Sequence, residues 1–230
     1  MKKSDAVPFD PYQFLKNHPL FTVVSQKNLS LLAQSLHTKK IPKGGYIFLQ
    51  DDPAEAIYIV QSGAIAIVLD SLDGRELVIN ELHPGDCFGE LAVLTQQPRS
   101  TGAVACDDST VCVIPDQVFL TVLEAENLLA RRFLDLTARR LWASSERESA
   151  LAFLNAEARL ARVLLHLDRK ESDKGFMTIS QSELAQRSGS TRQTVAKILG
   201  RWRRSGWLLT GRGRIMLLNR AALQRVIEQS

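Results

Sequence analysis

The chain has few of the residues that build covalent or metal frameworks. Its 230 residues include three cysteines, Cys87, Cys106 and Cys112, an odd number with no Cys-x-x-Cys pair. Neither a disulfide framework nor a thiolate zinc site is indicated, and the cysteines read as buried small hydrophobes. The four histidines, His18, His37, His83 and His166, are scattered without ligand spacing, so no metal is expected. No apolar run approaches the roughly 18 to 20 residues of a membrane span, and no apolar stretch follows the lysines of Met1-Lys2-Lys3-Ser4-Asp5-Ala6. A cytoplasmic location follows. There is no Ser-His-Asp set, P-loop or cleft-forming pair of acids, so the chain does not read as an enzyme. Glycine and proline are missing between Pro115 and Gly175, which marks a long helical block.

At 45% hydrophobic residues the chain can fill ordinary cores, and 230 residues suit one large domain or two small ones. The net charge of +4 conceals a division. Residues 1–155 hold 14 Lys/Arg against 19 Asp/Glu, whereas residues 156–230 hold 15 against 6. A basic C-terminal module points to a polyanionic partner, and in a chain patterned for compact folding that is more often nucleic acid than membrane.

Three regions are expected. Within 1–126, a short helical piece at 11–36 precedes short apolar strands at Ile57–Val60, Ala64–Leu69, Leu77–Leu82 and Val111–Ile114. Gly44-Gly45, Ser62-Gly63, Asp73-Gly74 and Pro84-Gly85 punctuate them, as in a sandwich or jelly roll. Within 127–155, one helix about 40 Å long carries a heptad seam of Leu134, Thr137, Leu141, Ser144, Glu148 and Leu151. The polar middle of that seam invites a polar contact from outside. Asn155 reads as an N-cap and hinge, with Glu157 in the first turn of a helix running to His166 or Leu167. Residues 156–230 complete the chain, and the fold class is α+β.

Two motifs carry chemistry. Phe88-Gly89-Glu90-Leu91-Ala92 is followed by Pro98-Arg99-Ser100. A glycine admits backbone N–H groups to a phosphate, a carboxylate can accept from a ribose hydroxyl, and an arginine can neutralise a phosphodiester. The stretch resembles the phosphate-binding cassette of cyclic-nucleotide-binding domains. That resemblance implies Glu90 on the ribose 2′-hydroxyl, Arg99 and Ser100 on the cyclic phosphate, and Gly89, Leu91 and Ala92 around it. Further along, Ser180-Gln181-Ser182-Glu183 is a capping box. Ala185, Gly189, Val195 and Ile198 then follow at helix-turn-helix spacing. Val195, Ile198, Leu199 and Trp202 form a core stripe, which leaves Arg192, Gln193, Ala196, Lys197 and Gly200 outward to enter a major groove. Ser190 or Thr191 can cap that helix, and Arg201, Arg203, Arg204, Arg212 and Arg214 lie nearby for phosphates. Trp207–Leu217 reads as a two-stranded wing with a basic tip.

From the strands to the wing, the chain resembles the cyclic AMP receptor protein (CRP/FNR) family. The long helix carries part of that likeness in Ala138-Arg139-Arg140-Leu141, Ser144-Ser145-Glu146 and Leu151-Ala152-Phe153-Leu154. The resemblance implies a homodimer, base contacts from Ser144 and Ser145, and a transcription regulator controlled by a cyclic nucleotide, with cyclic AMP favoured. It also implies a two-fold symmetric DNA operator, RNA polymerase as a further partner, and transmission of ligand state at Asn155. Relatives with an iron-sulfur cluster need four thiolates, which three cysteines cannot supply. Where the family often has Arg-Glu and a later arginine, this chain has Arg192, Gln193 and Lys197, so an altered operator is expected. Response to cyclic GMP or another ligand, constitutive DNA binding, and a regulatory subunit of an enzyme stay open as alternatives.

Overall fold

In a computed structural model, residues 9–70, 76–170 and 175–230 are described, apart from the side chains of Asp70, Leu151, Ala152 and Lys170. The Asp73-Gly74 turn and the Leu151 side chain therefore lie outside the described residues. Asp10 caps α1 (Pro11–Asn17) by accepting from the N–H groups of Tyr12 and Gln13. Where the sequence suggests one helical piece, the structure has two: α2 (Gln26–Ser35) is separate. The break has a local cause, since Pro19 disfavours helical geometry at His18, which is extended at ψ 130°.

Among the described residues eight strands follow: β1 (His37–Ile41), β2 (Tyr46–Phe48), β3 (Ala56–Ser62), β4 (Ile65–Asp70), β5 (Glu76–Leu82), β6 (Cys87–Phe88), β7 (Gly102–Ala105) and β8 (Ser109–Pro115). The short helix α3 (Glu90–Thr95) sits between β6 and β7. They form two four-stranded sheets, in the orders β1-β8-β3-β6 and β2-β7-β4-β5. In β3, Ala56, Tyr58 and Val60 face one core with Ile65, Phe88, Ala103 and Val111. Ile57 and Ile59, one step out of phase, face a second core with Leu15, Leu32, Phe119, Leu129 and Phe133. Strand β8 divides the same way, Val111 and Val113 against Cys112 and Ile114. Being covered on both faces is why these strands read as continuous apolar runs. Cys87 and Cys112 are buried, and burial pushes the Cys112 thiol up to about 12, as suits inert core residues.

The helical layer continues with α4 (Asp116–Ala125), then α5 (Asn127–Phe153) and α6 (Ala156–Lys170), which outlasts its expected end by a turn. The remaining elements are β9 (Met177–Thr178), α7 (Gln181–Ser188), α8 (Arg192–Arg204), β10 (Leu208–Gly211), β11 (Arg214–Leu217) and α9 (Arg220–Glu228). The chain divides into two compact units: among the described residues, the first holds 9–70 and 79–140 and the second 76–78 and 141–230, so that one break falls inside α5 between Arg140 and Leu141. In the second unit, Leu160, Leu164, Val195, Leu199, Trp202, Leu208, Ile215 and Leu223 share one core. The small sheet runs β10-β11-β9. Among the described residues, no helix is long and apolar enough to cross a membrane.

One buried polar residue ties α1 to the sheets. His18 is 5% exposed, and its Nε2 lies 2.8 Å from the Gly85 carbonyl while Nδ1 lies 3.2 Å from the Leu20 N–H. Both bonds are made by the neutral ring, with Nε2–H donating and Nδ1 accepting. Burial lowers its pKa from the ordinary 6.5, only partly opposed by the Gly85 bond and by Asp86. The unfolded chain therefore takes up the proton first, and His18's contribution is full above pH 6.5 and lost as pH falls through the folded pKa. In urea melts at a series of pH values, His18→Gln should flatten the part of the stability loss that begins near pH 6.5. An unchanged pH profile in that variant would remove His18 from the account.

Candidate functional site

The cassette is built around two charged side chains that are almost wholly buried, Glu90 and Arg99, each 2% exposed. Gly89 precedes α3 at φ +77°, and a Cβ there would lie 2.8 Å from Arg99 Nη1, so only glycine fits. The Arg99 guanidinium donates from Nη1 to the Gly89 carbonyl at 2.6 Å and from Nη2 to the Ala56 carbonyl at 2.7 Å. Its Cζ sits 4.4 Å from the Phe48 ring centroid and 5.5 Å from that of Tyr58. Burial lowers its pKa, but an arginine stays cationic throughout the physiological range. Two backbone peptides hold the loop in register: Asp51 N–H donates to the Arg99 carbonyl, and Arg99 N–H donates to the Asp52 carbonyl.

Glu90 is held from below. Its Oε1 accepts from Arg140 Nη1, and Arg140 Nη2 donates to the Cys87 carbonyl. Arg140 is a site residue that the sequence reading passed over. The signal was present, because Leu129, Phe133, Leu136 and Arg140 recur at helical spacing on the packed side of α5. Arg139 lies on the other side and pairs with Asp135 at 2.9 Å. Among the described residues, Glu90 Oε2 and Arg99 Nε are buried without a hydrogen-bond partner. One is an acceptor and the other a cationic donor, groups complementary to a hydroxyl and to an anion. Ser100, beside Arg99, is exposed, and Leu91 is 52% exposed while Ala92 is buried.

Along α5 two leucines of the seam are bare. Leu134 and Leu141 are each 69% exposed. Thr137 Oγ1 donates back to the Phe133 carbonyl at 3.0 Å. Ser144 Oγ donates to Glu148 Oε1 at 3.3 Å, so part of the polar middle is paired within the helix, and Ser145 is exposed. Asn155 caps α6 as expected, its Oδ1 accepting from the N–H groups of Glu157 and Ala158 at 3.0 Å each.

The helix-turn-helix is fixed by local chemistry. The Ser180–Glu183 capping box is formed, and Gly189 ends α7 at φ +58°. Of the two candidate caps for α8 it is Thr191 that serves, accepting from Thr194 N–H at 3.1 Å, while Ser190 Oγ turns to the Ser188 carbonyl. Arg159 braces the turn by donating to the carbonyls of Leu154, Ser188 and Gly189 at 2.8, 2.9 and 3.1 Å. Val195, Ile198, Leu199 and Trp202 are buried, which leaves Arg192, Gln193, Lys197, Arg201 and Arg204 exposed. In the wing, Gly213 at φ +68° makes the turn that exposes Arg212, and Arg214 lies over the Phe176 ring at 4.6 Å.

Residues 38–126 match the cyclic nucleotide-binding domain family, and residues 158–226 match the Crp-like helix-turn-helix domain. The cyclic AMP receptor protein of Thermus thermophilus is 30% identical over 92% of this chain and 98% of its own length. This chain belongs to the cyclic AMP receptor protein family. FixK2 of Bradyrhizobium japonicum superposes with a TM-score of 0.71 at 26% identity, over 83% of this chain and 96% of that one. The c-di-GMP responsive regulator CLP of Xanthomonas campestris shares the fold, with a TM-score of 0.75 at 22% identity over 84% and 99%. As a CRP/FNR protein the chain is a cyclic-nucleotide-binding, helix-turn-helix transcription regulator and not an enzyme. The burial of Arg99 yields a direct test of its role. Arg99→Ala removes a buried cation worth about 2–5 kcal/mol to a bound anion, so nucleotide affinity in calorimetry should fall by at least about 30-fold. Normal affinity in a folded variant would refute that role.

Proposed function

We propose that this CRP-family regulator is a homodimer whose binding to a two-fold symmetric DNA site is switched by a cyclic nucleotide, with cyclic AMP the favoured effector. The observation that carries the proposal is the buried, unpartnered pair of Glu90 Oε2 and Arg99 Nε. A ribose 2′-hydroxyl satisfies the first and a cyclic phosphate the second, each in a low-dielectric site where leaving it unmade is costly. Ser100 and the N–H groups of Gly89, Leu91 and Ala92 complete the phosphate side. Ser144 and Ser145 supply hydroxyls to the base. The favoured effector is also the one in the name of the Thermus thermophilus relative.

The dimer rests on the exposed leucines of α5, since burying Leu134 and Leu141 against a second copy removes apolar surface that one chain leaves in water. Thr137, Glu148 and Leu151 belong to the same seam. Two copies would set two α8 helices about 34 Å apart, one turn of DNA. Arg192, Gln193 and Lys197 read bases, Ser190 and Thr191 lie at the entry of α8, and Arg212 and Arg214 meet phosphates. Ligand acts by binding one orientation of the two readers better than the other, with Asn155 at the junction. The setting is the cytoplasm, with RNA polymerase as the further partner.

Calorimetry with cyclic AMP and cyclic GMP, followed by DNA binding with and without the ligand that binds, tests the core of this reading. Cyclic AMP should bind and strengthen operator binding; tighter binding of cyclic GMP, or no effect on DNA, would overturn the effector assignment. Leu134→Glu with Leu141→Glu should convert the protein to monomers in sedimentation, and a persisting dimer would place the interface elsewhere. Selection from random duplexes should return a palindrome differing from the usual family consensus at its inner positions, because Gln193 favours adenine where glutamate accepts from cytosine. Recovery of the unmodified consensus would contradict this.

A further inference from the structure

Arg201 belongs to the stripe Gln193, Lys197, Arg201 and Arg204, spaced so that all four share one side of α8, and all four are exposed. Its guanidinium is nevertheless engaged. Arg201 Nη2 donates to Glu157 Oε2, and the other oxygen of that carboxylate accepts the Trp202 indole N–H at 2.8 Å. Trp202 is 1% exposed, locked in the core of the second unit. Glu157 in turn stands in the first turn of α6, where Asn155 fixes its backbone N–H. The carboxylate is thus pinned from both sides, with its side chain 27% exposed against 55% for Arg201. Among basic side chains turned outward for a polyanion, a fixed negative charge opposes the partner and occupies a cation at the same time.

We propose that Glu157 sets the strength of DNA binding: it withholds Arg201 from DNA phosphates and so lowers the sequence-independent part of the affinity. The proposal rests on the reading of α8 as the DNA reader. Its physical basis is that non-specific affinity scales with the number of phosphates neutralised, whereas base recognition does not. Removing one cation from that count lowers affinity for every sequence alike and leaves discrimination to Arg192, Gln193 and Lys197. An exposed ion pair is weak enough to open, but Glu157, held by Trp202, stays beside the phosphates and recaptures Arg201.

Glu157→Gln separates the two roles of this side chain. The amide oxygen still accepts from Trp202, and the charge is gone. With the full-length protein, affinity for a random-sequence duplex is measured by fluorescence anisotropy over a range of salt concentrations, alongside affinity for the selected operator. Expected are random-duplex binding tighter by about 3- to 10-fold, a log K against log salt slope steeper by about 0.9, and operator binding tightened by a similar factor, so that the operator-to-random ratio is unchanged. The double variant Glu157→Gln with Arg201→Gln should lose that gain. An unchanged slope, weaker binding, or a gain that persists in the double variant would overturn the proposal. If the unmutated protein shows no salt-dependent duplex binding, the reading of α8 itself fails; ordinary binding without coupling between the two positions overturns the role of Glu157 alone.

Discussion

The cassette depends on one guanidinium buried without a carboxylate against it. Arg99 is fastened by two carbonyls, Gly89 and Ala56, and by the faces of Phe48 and Tyr58. Carbonyl dipoles and ring quadrupoles hold a cation in place without neutralising it. A full ion pair with Glu90 would have consumed the positive charge that an anionic ligand needs. The structure avoids that by giving Glu90 its own partner, Arg140. Two arginines thus divide the work: one fixes the acid, and the other remains electrostatically available.

That division also links the pocket to the long helix. Arg140 is the last residue of the first unit, and α5 continues from it without interruption into the second. Through Glu90 Oε1 and the Cys87 carbonyl, Arg140 holds the α5 backbone to the start of the cassette. On the far side of the helix junction, Asn155 caps α6, while Glu157 fastens the start of α6 to α8 and Arg159 fastens it to α7. Polar contacts of this kind have discrete arrangements, which suits them to the proposed switch.

Much of this was legible in the sequence because the informative residues act locally. A capping box, a glycine in the left-handed region and a four-residue apolar stripe each specify geometry within a few positions, and α7 and α8 formed as expected. Glu90 and Arg99 were legible by type and spacing. Phe48 and Tyr58 were not, because their roles come from strand pairing between residues far apart in the chain; helical spacing puts Arg140 on the packed side of α5 but does not name Glu90 as its partner. The split of the N-terminal helical piece had a local cause in Pro19 that apolar periodicity masked. The engagement of Arg201 by Glu157 was equally hidden: both residues read as ordinary first-turn and surface charges until α6 and α8 are packed together.

Strand β3 has a wider consequence. Its odd and even positions serve different cores: Ala56 and Tyr58 border the arginine pocket, while Ile57 and Ile59 pack on the helical layer that includes Phe133 of α5. Deleting or inserting a single residue there would exchange the two sets, turning isoleucines toward the guanidinium and a tyrosine toward the helices. The length of this strand is therefore under as strict a constraint as its composition. Any lineage of this chain that varies in loop size must do so outside Ala56–Val60.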